Sequence, residues 1–401
     1  MNMLSGRKLV LGVSGGVAAY KAAELVRLMV KSGADVHVVL TEGGARFVTA
    51  VTFQALSGNP VWTDLWDARM ANNMAHIDLS RDADAIVIAP ASADVMAKLA
   101  SGLCDDLLTT LCLARDCDLI VAPAMNRQMW EHPATTRNVT QLRKDGVSVL
   151  GPDAGEQACG ETGMGRMLEP ETLFDLLVAH FQPKLLSGRR IVMTAGPTFE
   201  AIDPVRGITN ISSGKMGYAL AAACAGAGAE VVLVSGPTGL PCPAGVRRVD
   251  VASAQEMRAA VVEALPGTEV FIGVAAVADY RPAERVDHKI KKSAGELTLR
   301  LTPNPDIIAE VAARADAPFC VGFAAESRDL DSYAERKRRD KRLGMVVGNL
   351  VQDAMGGDDN TVVLYDAQGR HSLPRAAKDV VARQIVAHLS ELLGRRAGEA
   401  T

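Results

Sequence analysis

The sequence predicts an α/β protein with two doubly wound parallel sheets, one in each half of the chain. One observation is a pattern of strand, glycine turn, helix and strand that occurs twice, over 8–40 and 190–235. The second observation is that further continuous apolar strands follow each pattern. Such strands are typical of parallel sheets that helices cover on both faces. Their alternation with helices therefore predicts two Rossmann-like domains.

The individual elements follow from the same rules: apolar runs predict strands, glycines predict turns and periodic apolar residues predict helices. In the first half we expect strands over 8–14, 35–40, 85–90 and 118–124, and a helix over 18–32. In the second half we expect strands over 190–196, 230–235, 270–278, 319–325 and 344–349, and helices over 217–227 and around 336–342. Proline, serine, glycine and basic residues interrupt the pattern over 181–190, so the predicted domains are 1–185 and 186–401.

Composition excludes several classes of protein. The 401 residues include 43 Lys and Arg against 47 Asp and Glu, a formal charge of −4, so we expect no nucleic-acid partner. No apolar run reaches the ~18–20 residues of a membrane helix, and no apolar signal core precedes the first strand. We therefore expect no membrane association and a cytoplasmic location. The seven cysteines show neither a C-x-x-C pair nor zinc spacing, which argues against metal fingers and a disulfide framework.

The carboxyl ends of the predicted strands carry the residues most suited to bind a ligand. Ser14, Gly15 and Gly16 lie between a strand and a helix, where free backbone N–H groups favour a phosphate. They do not form G-x-G-x-x-G, and Thr41 stands where a nicotinamide site expects an acid for the ribose. Thr41 suits a phosphate or a flavin ribityl chain better, although a tight turn without a ligand remains the alternative.

Two groups of basic residues stand out in the second half. One is 288–292, which contains Lys289, and the other is 336–342 on a predicted helix. Lys337 and Lys341 are four residues apart and share one helix face. On an acidic chain this focused charge indicates an anionic ligand, and a solvated helix face is the alternative.

Three side chains of the first half are candidates for catalysis. His76 precedes an acidic, partly apolar helix, where it is either functional or a cap or core residue. Asn126 ends a strand, where an amide can hold a carboxylate or polarise a carbonyl. Cys159 and Arg166 lie in a long glycine-rich segment that we interpret as a lid, with the thiol as a proton donor and the guanidinium as a phosphate ligand.

These segments together closely resemble the bifunctional phosphopantothenoylcysteine decarboxylase/phosphopantothenate–cysteine ligase family of coenzyme A synthesis. The decarboxylase half shows SGGVAAYK, the His76 segment, PASAD, PAMN and ACGETGMGRM, in the order and spacing of the family. The ligase half shows TAGPTFEAIDPVRGITNISSGKMG, AAVADYRP, KIKK, NPDI, GFAAE and ERKRRDK. One departure is Asp94-Val95, where many single-function decarboxylases read Asn-Thr.

For the first half, the resemblance implies a flavodoxin-like domain that binds FMN through Ser14, Gly15, Gly16, Thr41 and Ser92. It implies that FMN oxidises the thiol side of phosphopantothenoylcysteine, so that carbon dioxide can leave. His76 would act as a base or orient the substrate, Asn126 would bind the carboxylate and Cys159 would donate the final proton.

For the second half, the resemblance implies a ligase that activates 4′-phosphopantothenate with CTP as an acyl-cytidylate, which the amine of L-cysteine attacks. Asn210 would serve formation of the acyl-cytidylate, and Lys289 its stabilisation and onward reaction. Asp279 would hold Mg²⁺ with the nucleotide. The full set of CTP-binding positions that the resemblance implies is Gly273, Val274, Ala275, Asp279, Lys289, Asn304, Pro305, Asp306, Ile307, Phe323, Lys337 and Lys341.

The resemblance also implies a homo-oligomer, with trimers of decarboxylase domains and dimers of ligase domains that could form a dodecamer. Two other readings stay open on the residues alone. A nicotinamide-dependent oxidoreductase with two Rossmann domains would need the dinucleotide fingerprint that is missing here. A non-catalytic regulatory flavoprotein on the same scaffold would typically have lost a catalytic residue, whereas His76, Asn126 and Cys159 are all present.

Overall fold

The computed structural model of the chain describes residues 3–66, 74–291, 297–326, 328–350, 357 and 359–399. The chain forms two compact units, Met1–His180 and Phe181–Thr401. Both units are α/β structures built around a parallel sheet, which confirms the predicted fold class. The functional limits 1–185 and 186–401 stay a prediction.

The first unit alternates strands and helices along most of its length. In chain order its elements are β1 (Lys8–Val13), α1 (Ala19–Lys31), β2 (Asp35–Leu40), α2 (Glu42–Ala45), α3 (Ala50–Ser57), α4 (Ala75–Arg81), β3 (Ala85–Ala91), α5 (Ala93–Ser101), α6 (Leu107–Leu113), β4 (Asp118–Pro123), α7 (Arg127–Glu131), α8 (Pro133–Lys144), β5 (Ser148–Val149), β6 (Asp153–Glu156), β7 (Thr162–Arg166) and α9 (Pro170–His180).

The main sheet of the first unit is parallel, with the strand order β2-β1-β3-β4-β5. This is the order of flavodoxin-like sheets. All seven residues of β3 are buried, as expected for a central strand between two helical layers. The winding reverses between β1 and β3, and the carboxyl edge beside such a switch point is where open α/β sheets bind ligands. The turn after β1 and the ends of β3 and β4 meet at this edge.

The segment that we interpreted as a loop-like lid contains regular structure. Its strands β6 and β7 form an antiparallel hairpin. Gly165 lets this hairpin approach β4 closely: its φ is +133°, and a Cβ on it would lie 2.4 Å from the carbonyl oxygen of Met125. The backbone of Met125 donates to the Gly165 carbonyl over 3.0 Å. Glycine-rich composition therefore marks a close backbone approach here, in addition to turns.

The second unit begins with the same alternation and ends with an antiparallel extension. Its elements are β8 (Arg190–Ala195), β9 (Phe199–Ala201), β10 (Gly207–Thr209), α10 (Lys215–Gly226), β11 (Glu230–Ser235), β12 (Val246–Asp250), α11 (Ala254–Ala264), β13 (Val270–Gly273), β14 (Tyr280–Pro282), β15 (Leu301–Pro303), α12 (Ile307–Ala312), β16 (Phe319–Glu326), α13 (Leu330–Asp340), β17 (Met345–Leu350), β18 (Asp359–Asn360), β19 (Val363–Asp366), β20 (Gly369–Ser372), β21 (Ala376–Ala377) and α14 (Lys378–Glu399).

The large sheet of the second unit has the strand order β12-β11-β8-β13-β16-β17-β19-β20. The first six strands in this order are parallel, and β19 and β20 are antiparallel to their neighbours. The parallel part has the Rossmann order, with its switch point between β8 and β13. Helices α10 and α14 cover one face through small and branched side chains such as Ala221, Cys224 and Ile385.

The predicted strand over 270–278 is too long, because β13 ends at Gly273. Beyond it, the backbone N–H groups alternate between backbone and side-chain acceptors, and those of Val274 and Ala276 donate to the carbonyls of Thr194 and Gly196. Those of Ala275 and Ala278 donate to the hydroxyls of Thr194 and Thr198 over 3.2 and 3.0 Å. The apolar sequence continues because this turn is also partly buried, and periodicity alone does not distinguish the two. Among the described residues, no helix combines the length and apolarity that crossing a bilayer requires.

Candidate active sites

The first unit has a cavity of about 640 Å³ at the carboxyl edge of its sheet, beside the switch point. Six of the residues singled out in the sequence line it: Gly15, Gly16, Ser92 and Asn126 at strand ends, and Cys159 and Arg166 in the β6–β7 hairpin. The volume lies within the range of about 300–1,000 Å³ that small-molecule sites occupy. The structure thus brings the glycine turn, the strand-end amide and the cysteine of the lid together in one place.

Ser14 lies behind the cavity wall and does not line it. Its side chain is fully buried, and its hydroxyl donates to the Pro90 carbonyl over 2.7 Å. The same oxygen accepts from the backbone N–H of Ser92 over 3.0 Å. Ser14 therefore joins the ends of β1 and β3 and fixes Ser92 at the cavity. The Ser14 hydroxyl serves this internal contact and does not face a ligand, contrary to the prediction.

Gly16 is a wall position that the protein itself leaves open. A Cβ on it would meet no protein atom within 4 Å. By contrast, a Cβ on Gly15 would lie 3.2 Å from the backbone of Gly43. Gly15 is therefore a packing requirement, whereas Gly16 keeps space clear for an occupant of the cavity.

A buried lysine that sequence analysis missed ties the lid to the first helix. Lys21 of α1 is 5% exposed and lines the cavity. Its ammonium donates to the Met167 carbonyl and to the Glu169 carboxylate, each over 3.0 Å. Burial raises the pKa of Glu169, but Lys21 and Arg166 outweigh it and hold that pKa below its usual range. Lys21 follows the glycine turn by one helical turn, and that spacing was the available signal.

The amide of Asn126 is the centre of a cluster that joins the start of α7 to the lid. Its Oδ1 caps α7, accepting from the Gln128 N–H over 2.8 Å. Its Nδ2 donates to the Glu161 carboxylate over 2.7 Å and lies 3.6 Å from the Cys159 sulfur. Gln128 donates to the other oxygen of Glu161 over 3.2 Å. These two amides hold the pKa of Glu161 below its usual range. Glu161 was not predicted.

Two further predicted residues stand outside the cavity lining. Thr41 caps α2, accepting from the Gly44 N–H over 3.1 Å, and its hydroxyl donates to Val13 over 3.3 Å. His76 lies on α4, and its buried Nδ1 has no hydrogen-bond partner in the described part of the chain. The structure therefore does not bring either side chain to the Asn126–Cys159 pair of the same chain.

The second unit has a cavity of about 320 Å³ at the carboxyl edge of its own sheet. It lies beside β13 and β16, next to the switch point. Most of the predicted nucleotide positions line it, together with the unpredicted Thr194 and Val277. The predicted residues in its wall are Gly273, Ala275, Asp279, Asn304, Pro305, Asp306, Ile307, Phe323, Lys337 and Lys341.

Two ammonium groups face this second cavity from α13. Lys337 donates to the Phe323 carbonyl over 2.5 Å, and Lys341 pairs with Asp306 over 2.5 Å. Burial lowers the pKa of Lys337, and the charge of Lys341 lowers it further. A polyanion would relieve both effects, because it replaces lost solvation and separates the like charges. We call Lys337 and Lys341 the cationic wall of this cavity. Lys341 is already paired with a carboxylate, whereas Lys337 donates to a neutral carbonyl.

The other predicted ligase residues do not line this cavity. Val274 packs against the core, and Lys289 is exposed on a neighbouring loop. Asn210 donates to the carbonyls of Ala276 and Val277 over 3.2 and 3.0 Å, which places its amide at the turn after β13.

The loop that carries Lys289 is held by a buried carboxylate that sequence analysis also missed. Asp203 is 1% exposed and accepts from the backbone N–H of Ile290 over 3.1 Å and of Val205 over 2.8 Å. Burial raises its pKa, but these donors and Arg206 hold the pKa of Asp203 below its usual range. Asp203 thereby links the β9–β10 hairpin, which leads to Asn210, with the Lys289 loop.

Comparison with known proteins covers both units. The family described as "Flavoprotein" matches residues 1–182, and the "DNA/pantothenate metabolism flavoprotein C-terminal domain" matches residues 186–393. The "Coenzyme A biosynthesis bifunctional protein CoaBC" of Vibrio vulnificus strain CMCP6 is 48% identical over 400 residues, covering 98% of this chain and all of the relative. The protein of the same name from Escherichia coli K12 is 48% identical over 391 residues, 96% of each chain.

A solved structure titled as the C-terminal domain of such a protein is 41% identical and covers 53% of this chain and 99% of that one, with a TM-score of 0.46. The two family matches follow one another along the chain, and the full-length relatives span both. The chain therefore belongs to the bifunctional CoaBC family of coenzyme A biosynthesis, in which a flavoprotein decarboxylase and a ligase share one polypeptide.

Proposed function

We propose that the first cavity binds FMN and decarboxylates 4′-phosphopantothenoylcysteine to 4′-phosphopantetheine. The observation that carries this proposal is the Asn126 amide beside the Cys159 thiol, 3.6 Å apart, at a cavity large enough for a flavin and part of a substrate. Small residues at the glycine turn and at Ser92 and Ala93 leave room for a flat ring to approach the backbone. Bound FMN would supply the oxidising power that gives the departing carbon dioxide an electron sink.

Asn126 and the lid would bind the substrate carboxylate, deliver a proton and exclude water. Asn126 would donate its Nδ2–H group to the substrate carboxylate, in the place that the Glu161 carboxylate takes in the ligand-free chain. Cys159 would deliver a proton from its sulfur at the end of the reaction, because a thiol is a better acid than a hydroxyl. The lid would also exclude water, since the β6–β7 hairpin lines one side of the cavity.

A decisive experiment fills the space at Gly16. We expect Gly16→Val to remove the yellow colour of bound flavin, because its side chain would occupy the cavity, while circular dichroism stays that of the parent. Gly239→Val is the matched control. A Cβ on Gly239 also meets no protein atom within 4 Å, and Gly239 lies in the other unit. A Gly16→Val protein that binds FMN with parent affinity would contradict the assignment of this cavity.

His76 requires a second copy of the chain if it acts as the base. It does not line the cavity of its own chain, and among the residues that the structure describes its buried Nδ1 has no hydrogen-bond partner. We propose that a homo-oligomer, with trimers through the first unit and dimers through the second, brings His76 to the cavity of a neighbour. Co-expression of His76→Asn with Cys159→Ser tests this proposal. Shared sites should restore roughly a quarter of the parent activity, whereas sites within single chains should restore none.

The second cavity would bind CTP, and the second unit would join 4′-phosphopantothenate to L-cysteine through an acyl-cytidylate. The cationic wall of Lys337 and Lys341 supports a triphosphate, since phosphoryl chemistry depends on positioning and charge neutralisation. The Asp279 carboxylate in the same wall suits Mg²⁺, which commonly takes one or two carboxylates together with substrate phosphates. Val274 would act by packing, because it belongs to the core.

Asn210 and Lys289 would act on the acyl group next to this cavity. The amide of Asn210 already lies against the turn after β13, and Asp203 fixes the loop of Lys289. We expect Lys289→Gln to abolish measurable amide formation and to leave decarboxylation of added 4′-phosphopantothenoylcysteine at the parent rate. The neighbouring His288→Gln is the control for loop disturbance. Equal loss of both activities in a folded Lys289→Gln protein would contradict separate sites.

A further inference from the structure

Outside both cavities, the second unit gathers two imidazoles around one carboxylate. The three side chains are Asp366 at the end of β19, His371 on β20 and His388 on α14. Their ligand atoms all lie within 4.8 Å of one another. None of the three lines the second cavity, and the proposed ligase chemistry uses none of them.

The hairpin register explains why the cluster forms. His371 pairs with Leu364, which is two residues before Asp366, so both side chains lie on one face of the β19–β20 ladder. Helix α14 contributes His388 to the same point. Three separate segments of the chain therefore supply one group each.

The distances are close to those of a coordination shell. Oδ2 of Asp366 lies 2.7 Å from Nε2 of His388 and 3.2 Å from Nε2 of His371. Zinc bonds of ~2.0–2.1 Å at tetrahedral angles would separate neighbouring ligand atoms by about 3.3 Å. Two nitrogens and one oxygen are also the donor types that zinc and related transition ions prefer.

The surroundings favour an ordered site with one open side. The Asp366 side chain is 1% exposed, and the backbone N–H of Gln368 holds its Oδ1 over 2.7 Å. His371 is 36% exposed, so a water molecule could complete a fourth position. Arg338 is the cation whose charge acts on Asp366, and it is paired with Glu335 over 2.9 Å. Its charge is thus largely balanced.

We propose that Asp366, His371 and His388 bind a divalent transition ion of the zinc class, with both imidazoles coordinating through Nε2. The ion would join the antiparallel hairpin to the last helix of the second unit. Binding needs both imidazoles in their neutral form, so protons compete with the ion for the two Nε2 atoms.

The test is a zinc titration of the full-length protein without nucleotide or magnesium, after alkylation of its accessible thiols. We expect one high-affinity Zn²⁺ per chain. His371→Gln and His388→Gln should each weaken Zn²⁺ binding by at least about 100-fold, since loss of a residue that only hydrogen-bonds to a metal ligand already costs about 10–100-fold. His37→Gln is the matched control, because His37 also contacts a carboxylate, that of Asp35 over 3.1 Å, but without a second imidazole in that contact.

Cobalt provides an independent readout that does not depend on enzyme activity. We expect Co²⁺ to give the visible absorption of a four-coordinate ion in the parent and in His37→Gln, and to lose it in His371→Gln. The exposed His371 position keeps the test valid if His388→Gln fails to fold. No saturable binding to the parent, or binding that both cluster variants leave unchanged, would overturn the proposal and leave a hydrogen-bonded Asp–His cluster.

Discussion

The two units place their cavities at equivalent positions but build them with different chemistry. Each cavity lies at the carboxyl edge of a parallel sheet, beside the switch point of its winding. In the first, the one buried cation of the wall, Lys21, is already neutralised by Glu169. In the second, the half-buried Lys337 has a neutral carbonyl as its hydrogen-bond partner. The fold determines where a ligand binds. The side-chain charge that the cavity wall leaves without a counter-ion then determines which kind of ligand binds there.

The largest effect that should separate the two cavities comes from the lid thiol. We expect Cys159→Ser to lower phosphopantetheine formation by about 10²–10⁴-fold, the range for loss of a general acid, with ligation unchanged. Carbon dioxide should still be released, while the flavin stays reduced and an oxidised enethiol product accumulates. Product analysis would detect the enethiol, and the flavin absorbance would report the reduced state of the flavin.

Cys104→Ser is the control for this substitution, since Cys104 is also exposed in the first unit and does not line its cavity. Formation of phosphopantetheine by Cys159→Ser at the parent rate would reduce Cys159 to a lid residue without a catalytic role.

The next effect concerns the cationic wall of the second cavity. We expect Lys337→Gln to raise the KM for CTP by about 10–100-fold, because a hydrogen bond to a charged group contributes about 1.5–3 kcal/mol. Decarboxylation of supplied substrate should not change. Arg336→Gln, the adjacent exposed cation stacked on Tyr333 at 4.7 Å, should leave the KM for CTP near that of the parent. Equal increases in both variants would indicate a general surface charge effect instead.

The same lysine predicts a pH dependence that the first cavity should lack. The pKa of Lys337 is lowered by burial and by Lys341, so its charge is lost at lower pH than that of an ordinary lysine. Phosphate binding needs the charged form, and the KM for CTP should therefore rise as pH increases toward this lowered pKa. Lys337→Arg should flatten the rise, because a guanidinium stays protonated. An unchanged slope in Lys337→Arg would assign the pH dependence to another group.

Sequence patterns predicted the sheets well because buried parallel strands leave continuous apolar runs, as in β3 and β11. They overestimated the length of the strand that begins at Val270, because beyond Gly273 threonine hydroxyls accept hydrogen bonds from two backbone N–H groups of an equally apolar turn. Residues that motifs carry, such as Asn126 and Lys337, do line the two cavities, and their roles there stay a prediction. Supporting residues such as Lys21 and Asp203 were missed, because their partners are distant in sequence and only the fold brings them together.

The smallest effect tests whether the lid carboxylate competes with the substrate. Glu161 accepts from Asn126 over 2.7 Å and from Gln128 over 3.2 Å, so a substrate carboxylate must displace it to reach the same amide. Glu161→Gln removes the negative charge that strengthens these bonds. We expect the KM for 4′-phosphopantothenoylcysteine to fall by about 2–10-fold, as a net hydrogen bond of about 0.5–1.5 kcal/mol implies. Glu156→Gln changes another glutamate of the same lid, one that lines the cavity, and it should leave the KM unchanged. A higher KM in Glu161→Gln alone would show instead that Glu161 helps to hold the substrate. The lid carboxylate would then not compete with the negative charge of the substrate.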